Sequence, residues 1–75
     1  MYTVGRCLIR DWRQKLDMTQ EELAHISGVN RSNISKYEND YSKPELKNLK
    51  NIAAVFNCHI EDLYEWKKSR RTQSR

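Results

Sequence analysis

The chain has 75 residues, 37% hydrophobic and 32% charged, with 14 Lys or Arg against 10 Asp or Glu and a formal net charge of +4. That length supports one small domain near the lower limit of what folds without a disulfide or metal staple. The composition excludes a membrane-spanning helix, since no apolar run approaches the roughly 20 residues required, and residues 1–10 lack the zones of a signal peptide.

A reducing, cytoplasmic setting is therefore expected. Cys7 and Cys58 make no disulfide framework, no close Cys/His cluster has zinc-ligand spacing, and two glycines leave no phosphate-cradling loop. No metal and no cofactor is expected. The charge is unevenly placed. Residues 67–75 (KKSRRTQSR) hold five basic side chains and no acidic one, leaving nine basic against ten acidic in residues 1–66. The reading is a folded domain over 1–66 and a disordered basic tail over 67–75. The tail is a solubilising end, an arm tracking phosphate, or a partner-binding segment. Any nucleic-acid argument must come from arrangement, because the domain itself is not basic overall.

In chain order the elements read as short helices. Leu8, Ile9, Trp12 and Leu16 form one stripe of a helix from Thr3 to Leu16. Asp17 then tolerates the left-handed conformation that ends it. Thr19-Gln20-Glu21-Glu22 spells a capping box. The second helix runs through Leu23, Ala24 and Ile26 and stops by Gly28. Asn30 caps a third helix over 31–38, in which Ile34 and Tyr37 alone look buried. A fourth follows Lys43-Pro44, with the stripe Leu46, Leu49, Ile52, Ala53 and Phe56 and a stop at Asn57. Ile60, Leu63 and Tyr64 mark a short fifth helix ending near Trp66. No segment shows clear period-two alternation. The expected fold is all-α, with five helices. Five short helices offer no cleft for catalytic carboxylates, so no enzyme is expected.

Residues 20–38 carry the functional signal. A helix-turn-helix needs a small residue where two helices approach, a turn residue free to take positive φ, and an apolar anchor under the second helix. Ala24, Gly28 and Ile34 supply these, and Val29 can plug the corner. The matching stretches include Met18-Thr19-Gln20-Glu21-Glu22-Leu23-Ala24, Gly28-Val29-Asn30-Arg31-Ser32-Asn33-Ile34-Ser35-Lys36-Tyr37-Glu38-Asn39, Lys43-Pro44 and Ile60-Glu61-Asp62-Leu63. With Arg10-Asp11-Trp12-Arg13 before them, residues 6–65 resemble the Cro/repressor-type (xenobiotic-response-element-like) helix-turn-helix regulators of bacteria and phages.

The resemblance implies a lambda-repressor-like domain that binds double-stranded operator DNA as a homodimer and represses transcription in a bacterial cytoplasm or nucleoid. It implies base contacts from Arg31, Ser32, Asn33 and Lys36 on the recognition helix. Phosphate contacts fall to Gln20, Asn30, Asn39, Tyr41, Ser42 and Lys43, and an internal salt bridge joins Arg13 to Glu38. Where the family usually carries glycine, this chain has Asp17, Asp40 and Asn57, the next-best residues for left-handed caps. Val55, Tyr64 and Trp66 are candidate dimer residues. A palindromic operator is expected, because one small module reads only a few base pairs. The rival reading keeps the fold but binds a protein partner, as an antitoxin or antirepressor would; the polar, basic face of residues 31–36 argues against it. The sequence names no such partner.

Overall fold

The Thr19 hydroxyl accepts from the Glu22 amide at 3.0 Å and the Glu22 carboxylate accepts from the Thr19 amide at 2.8 Å, so both halves of the capping box form. In the computed structural model, which describes residues 1–69, this box opens helix α2 (Gln20–Ser27). Around it lie strand β1 (Tyr2–Cys7) and helices α1 (Ile9–Lys15), α3 (Arg31–Glu38) and α4 (Leu46–Phe56). A single 3-10 turn (Ile60–Leu63) leads into strand β2 (Tyr64–Lys68). Left-handed backbone occurs at Asp17, Asp40 and Asn57, with φ of 56°, 60° and 58°. Each follows a helix, where the chain must reverse.

Two expectations are corrected. The fold is not all-α: the described residues form four α-helices and a two-stranded sheet, and the first helix begins at Ile9 instead of Thr3. Residues 2–7 instead pair antiparallel with the end of the expected fifth helix and the first residues of the expected tail, Tyr2 facing Lys68, Thr3 facing Lys67, Val4 facing Trp66 and Cys7 facing Tyr64. Local propensity explains this in retrospect. β-branched Thr3 and Val4 and then Gly5 all weaken a helix, while Tyr64 and Trp66 suit a pleated surface. The strand continues through Lys67 and Lys68, so the first two residues of the basic tail are in the sheet. The remainder of the tail reading, from 70 on, lies outside the described residues.

The register slips between Val4 and Cys7, so Gly5 and Arg6 together oppose Glu65 in a bulge. Gly5 is favoured there by space. A Cβ on it would lie 3.1 Å from the Glu65 carbonyl oxygen and 3.2 Å from the Glu65 Cβ. Gly5→Ala is expected to lower stability by about 1 kcal/mol, as overpacking does, with the loss read from thermal unfolding by circular dichroism. An unchanged midpoint would show that the strands simply separate a little further.

A two-stranded ribbon is marginal by itself, and this one is fixed by its inner ends. Cys7 and Tyr64 are both buried and join the core of Ile9, Leu23, Val29, Ile34, Tyr37, Ile52, Ala53, Phe56 and Leu63. Trp12 stacks on Phe56, ring centroids 5.8 Å apart, while its indole N–H donates to the Asp62 carbonyl at 2.9 Å. The apolar stripes are narrower than the sequence suggests. Leu46, on the first turn of α4, is 71% exposed, and Leu16 and Ile26 also face outward. Leu46 is therefore corrected from core to surface.

Candidate nucleic-acid interface

Gly28 ends α2 with φ of 77°, its amide donating to the Ala24 carbonyl at 2.9 Å. That left-handed residue turns the chain within three residues, and buried Val29 plugs the corner. Asn30 then caps α3. Its side-chain oxygen accepts from both the Ser32 amide at 2.8 Å and the Ser32 hydroxyl at 2.6 Å. Asn30 and Ser32 are thus locked to each other at the helix start, the one as cap and the other as its donor.

At about 100° per residue, Ile34, Tyr37 and Glu38 share one side of α3, and all three are buried. The Tyr37 hydroxyl accepts from the Asn48 side-chain amide at 3.0 Å, which ties α3 to α4. Ser32 and Lys36 are exposed on the opposite side, and Arg31 is exposed at the start of the helix, where its first turn faces Gln20 of α2. Asn33 lies at the flank and is half-buried. Ser35, not singled out from the sequence, lies at the other flank by the same helical count and is also half-buried. Counting the wheel alone would have found it.

What holds this helix in place is Glu38. Its side chain is fully buried and its two oxygens take four hydrogen bonds. Oε2 accepts from Arg13 Nε at 2.7 Å, while Oε1 accepts from Arg13 Nη2 at 3.0 Å, Gln20 Nε2 at 3.0 Å and Arg10 Nε at 3.4 Å. One carboxylate on α3 therefore ties α1 and α2 together. Arg13 also donates to the Met18 carbonyl at 2.9 Å, closing the turn before α2. Gln20 and Arg31 come together along a polar cleft of about 470 Å³ that Arg13 also lines.

Burial by itself would raise the Glu38 carboxyl, but the hydrogen bonds from Arg13 and Gln20 outweigh it and hold the group below its ordinary value. A carboxylate lowered on folding stabilises the native state above the ordinary carboxylate range and loses that contribution as pH falls through the lowered folded value. Urea midpoints measured from about pH 6 down to about pH 3 are expected to fall more steeply for the wild type than for Glu38→Gln. Parallel profiles would mean that another group carries the acid sensitivity.

After α3 the chain presents Asn39, Tyr41, Ser42 and Lys43, all exposed. Asn39 is fixed at both ends of its amide, donating to the Ser35 carbonyl at 2.9 Å and accepting from Arg10 Nη2 at 3.3 Å. Tyr41 is 82% exposed. The Lys43 ammonium lies 5.8 Å from the centre of the Tyr64 ring, which draws it toward the sheet side of the loop. Of the three candidate dimer residues, Trp66 is 48% exposed and Val55 half-buried. Tyr64 is corrected: it is 7% exposed and belongs to the core, where burial pushes its hydroxyl up.

Among the described residues, no group of His, Cys, Asp or Glu is arranged to hold a metal, and no helix is long and apolar enough to cross a membrane. With the helix pair, its turn and its outward polar face in place, comparison with known proteins is decisive. A helix-turn-helix family model of the Cro/C1 type matches residues 9–63. The chain belongs to the Cro/C1-type helix-turn-helix family.

Relatives in this helix-turn-helix family come from several sources. An HTH-type transcriptional regulator of the SPbeta prophage of Bacillus subtilis is 39% identical over 69 residues, covering 89% of this chain and 92% of the relative. An HTH-type transcriptional regulator of Archaeoglobus fulgidus is 48% identical over 59 residues, 79% of this chain and 84% of the relative. Among solved structures, the P22 c2 repressor in complex with a synthetic operator has a TM-score of 0.69 at 31% identity, over 73% of this chain and 83% of that one. The restriction-modification controller protein C.AhdI of Aeromonas hydrophila matches equally well, TM-score 0.69 at 27% identity over the same shares. This helix-turn-helix family is one of DNA-binding transcription regulators and not of enzymes.

Proposed function

We propose that this chain is a small transcriptional repressor that binds double-stranded operator DNA sequence-specifically, with α3 in the major groove. The observation that carries this reading is the outward face of α3. Arg31, Ser32 and Lys36 are exposed on a helix whose other side is sealed into the core and whose far end is tied down through Glu38. A recognition helix must be rigid and polar outward, because its first turn meets the base edges end-on. Arg31 is the group best suited to bond guanine O6 and N7 together. Ser32 and Lys36 line the same approach, with Asn33 at its flank. Gln20, Asn30, Asn39, Tyr41, Ser42 and Lys43 are assigned to backbone phosphates.

Two copies related by a two-fold axis would read half-sites about 34 Å apart, the spacing of one turn of DNA. The surface assigned to that contact is the part of the sheet that carries Val4 and Trp66, on the same face as Tyr64. Val4 and Trp66 pair across the strands and are 40% and 48% exposed. They line an apolar groove of about 250 Å³ with Pro44, Leu49 and Ile60. Val55 is the further candidate on α4. The site of action is the bacterial cytoplasm or nucleoid. The relatives named above are transcriptional regulators, which favours DNA binding over a protein-masking role.

Selection of bound sequences from a random duplex pool tests the reading directly. A palindromic consensus containing guanine in each half-site is expected. No enrichment at low salt would overturn it. Sedimentation of the protein with and without the selected duplex tests the dimer, and a monomer under both conditions would remove it.

A further inference from the structure

The charges around Glu38 do not balance. Arg10 and Arg13 both donate to this one carboxylate, and among the described residues neither guanidinium has a second carboxylate partner. One positive charge is therefore left over. It resides on Arg10, because Arg13 is the close, two-pronged, 12% exposed partner, whereas Arg10 lies 3.4 Å from Glu38 with a side chain 47% exposed. The other acidic residue beside it in sequence, Asp11, is engaged with Arg6 at 3.0 Å.

Position matters as much as charge. Arg10 Nη2 reaches the Asn39 side-chain oxygen at 3.3 Å, so the guanidinium rests at the C-terminal end of α3. Both of its contacts are at the long end for a hydrogen bond, and two of its five N–H donors account for them. An eight-residue helix spans about 12 Å, and the major groove is about 8.5 Å deep. With the first turn of α3 on the base edges, residues just beyond its last turn come level with the phosphate wall. Arg10 therefore stands where an anion would be, presenting a planar fork that matches phosphate oxygens.

We propose that Arg10, on α1, is a phosphodiester-binding residue, seated by Glu38 and Asn39 so that its surplus charge meets the DNA backbone flanking the bases read by α3. The inference rests on the DNA-binding reading above. It adds a site on the first helix, outside the helix-turn-helix proper. Arg13 holds the structure, and Arg10, three residues earlier on the same face of α1, holds the ligand.

The test compares wild type, Arg10→Met and Arg10→Lys on the selected operator and on random duplex, each across a salt series, with thermal midpoints recorded alongside. Arg10→Met is expected to weaken both duplexes by the same factor and to flatten the slope of log K against log salt by about 0.9 per bound subunit. Arg10→Lys, which keeps the charge and loses the fork, is expected to retain the slope. Methylphosphonate placed at successive backbone positions should then identify one phosphate whose neutralisation weakens wild type and leaves Arg10→Met unaffected. A wild-type slope in Arg10→Met, or a loss confined to the operator, would overturn the proposal while leaving the DNA reading intact. Equal losses of slope in the methionine and lysine variants would overturn it as well. Failure of the wild type to bind any duplex at low salt would overturn both.

Discussion

Glu38→Ala is expected to lower stability by about 3–5 kcal/mol, the usual cost of leaving a buried charge without its partner. The loss would be read as a fall of roughly 12–40 °C in thermal midpoint, at about 4–8 °C per kcal/mol for a domain of this size. Arg13 is the charge left stranded, since it is 12% exposed and donates twice to Glu38. Gln20 loses its acceptor too. A domain of this length is stable by only about 0.05–0.15 kcal/mol per residue, so the variant sits near the edge of unfolding. The paired substitution Arg13→Met with Glu38→Leu removes both charges and is expected to recover most of the loss. A loss below about 1 kcal/mol for Glu38→Ala would show that water reaches Arg13 easily and that the tie between the helices is weak.

Arg31→Ala is expected to weaken binding to a guanine-containing half-site by about 1–3 kcal/mol, or roughly 5- to 150-fold. In a dimer the effect applies at each half-site. The same variant should bind a duplex with that guanine replaced as well as the wild type does, because the lost contact was never made there. Its thermal midpoint should not move, since Arg31 is exposed. Competition binding on paired duplexes measures the difference. Uniform weakening on every sequence would assign Arg31 to phosphate instead of base. Lys43→Ala is the useful contrast, with weakening on all sequences and a flatter salt dependence expected.

How much of this was legible in the residues depends on how local each signal is. The capping box, the Gly28 turn, the Asn30 cap and the left-handed Asp17, Asp40 and Asn57 all depend on neighbours within four positions, and each forms in the structure. The sheet was missed because its two halves are separated by most of the chain. Neither Tyr2–Cys7 nor Tyr64–Lys68 is long enough to show a period, and only their pairing makes either one a strand. Tyr64 was misplaced for the same reason, since its burial depends on Cys7 across that pairing. Leu46 was misjudged differently. Its spacing fits the α4 stripe, but a stripe gives direction only, and nothing in spacing says where the covering helices end. Arg10 lay within the stretch that resembles the family, yet its role needs the position of Asn39, 29 residues away.

The sheet also brings the two ends of the described residues together. Met1 and Ser69 meet through a backbone hydrogen bond of 2.6 Å, so the described residues close on themselves like a belt with its buckle on the outside. Closing a loop this long carries an entropic cost, one that grows only slowly with length. Long-range pairings also form late. The buckle is therefore expected to be the last part to fasten and the first to come undone. Because its outer ends are exposed while Cys7 and Tyr64 anchor its inner ends, it can open and reclose at the termini without unseating the helices that face DNA.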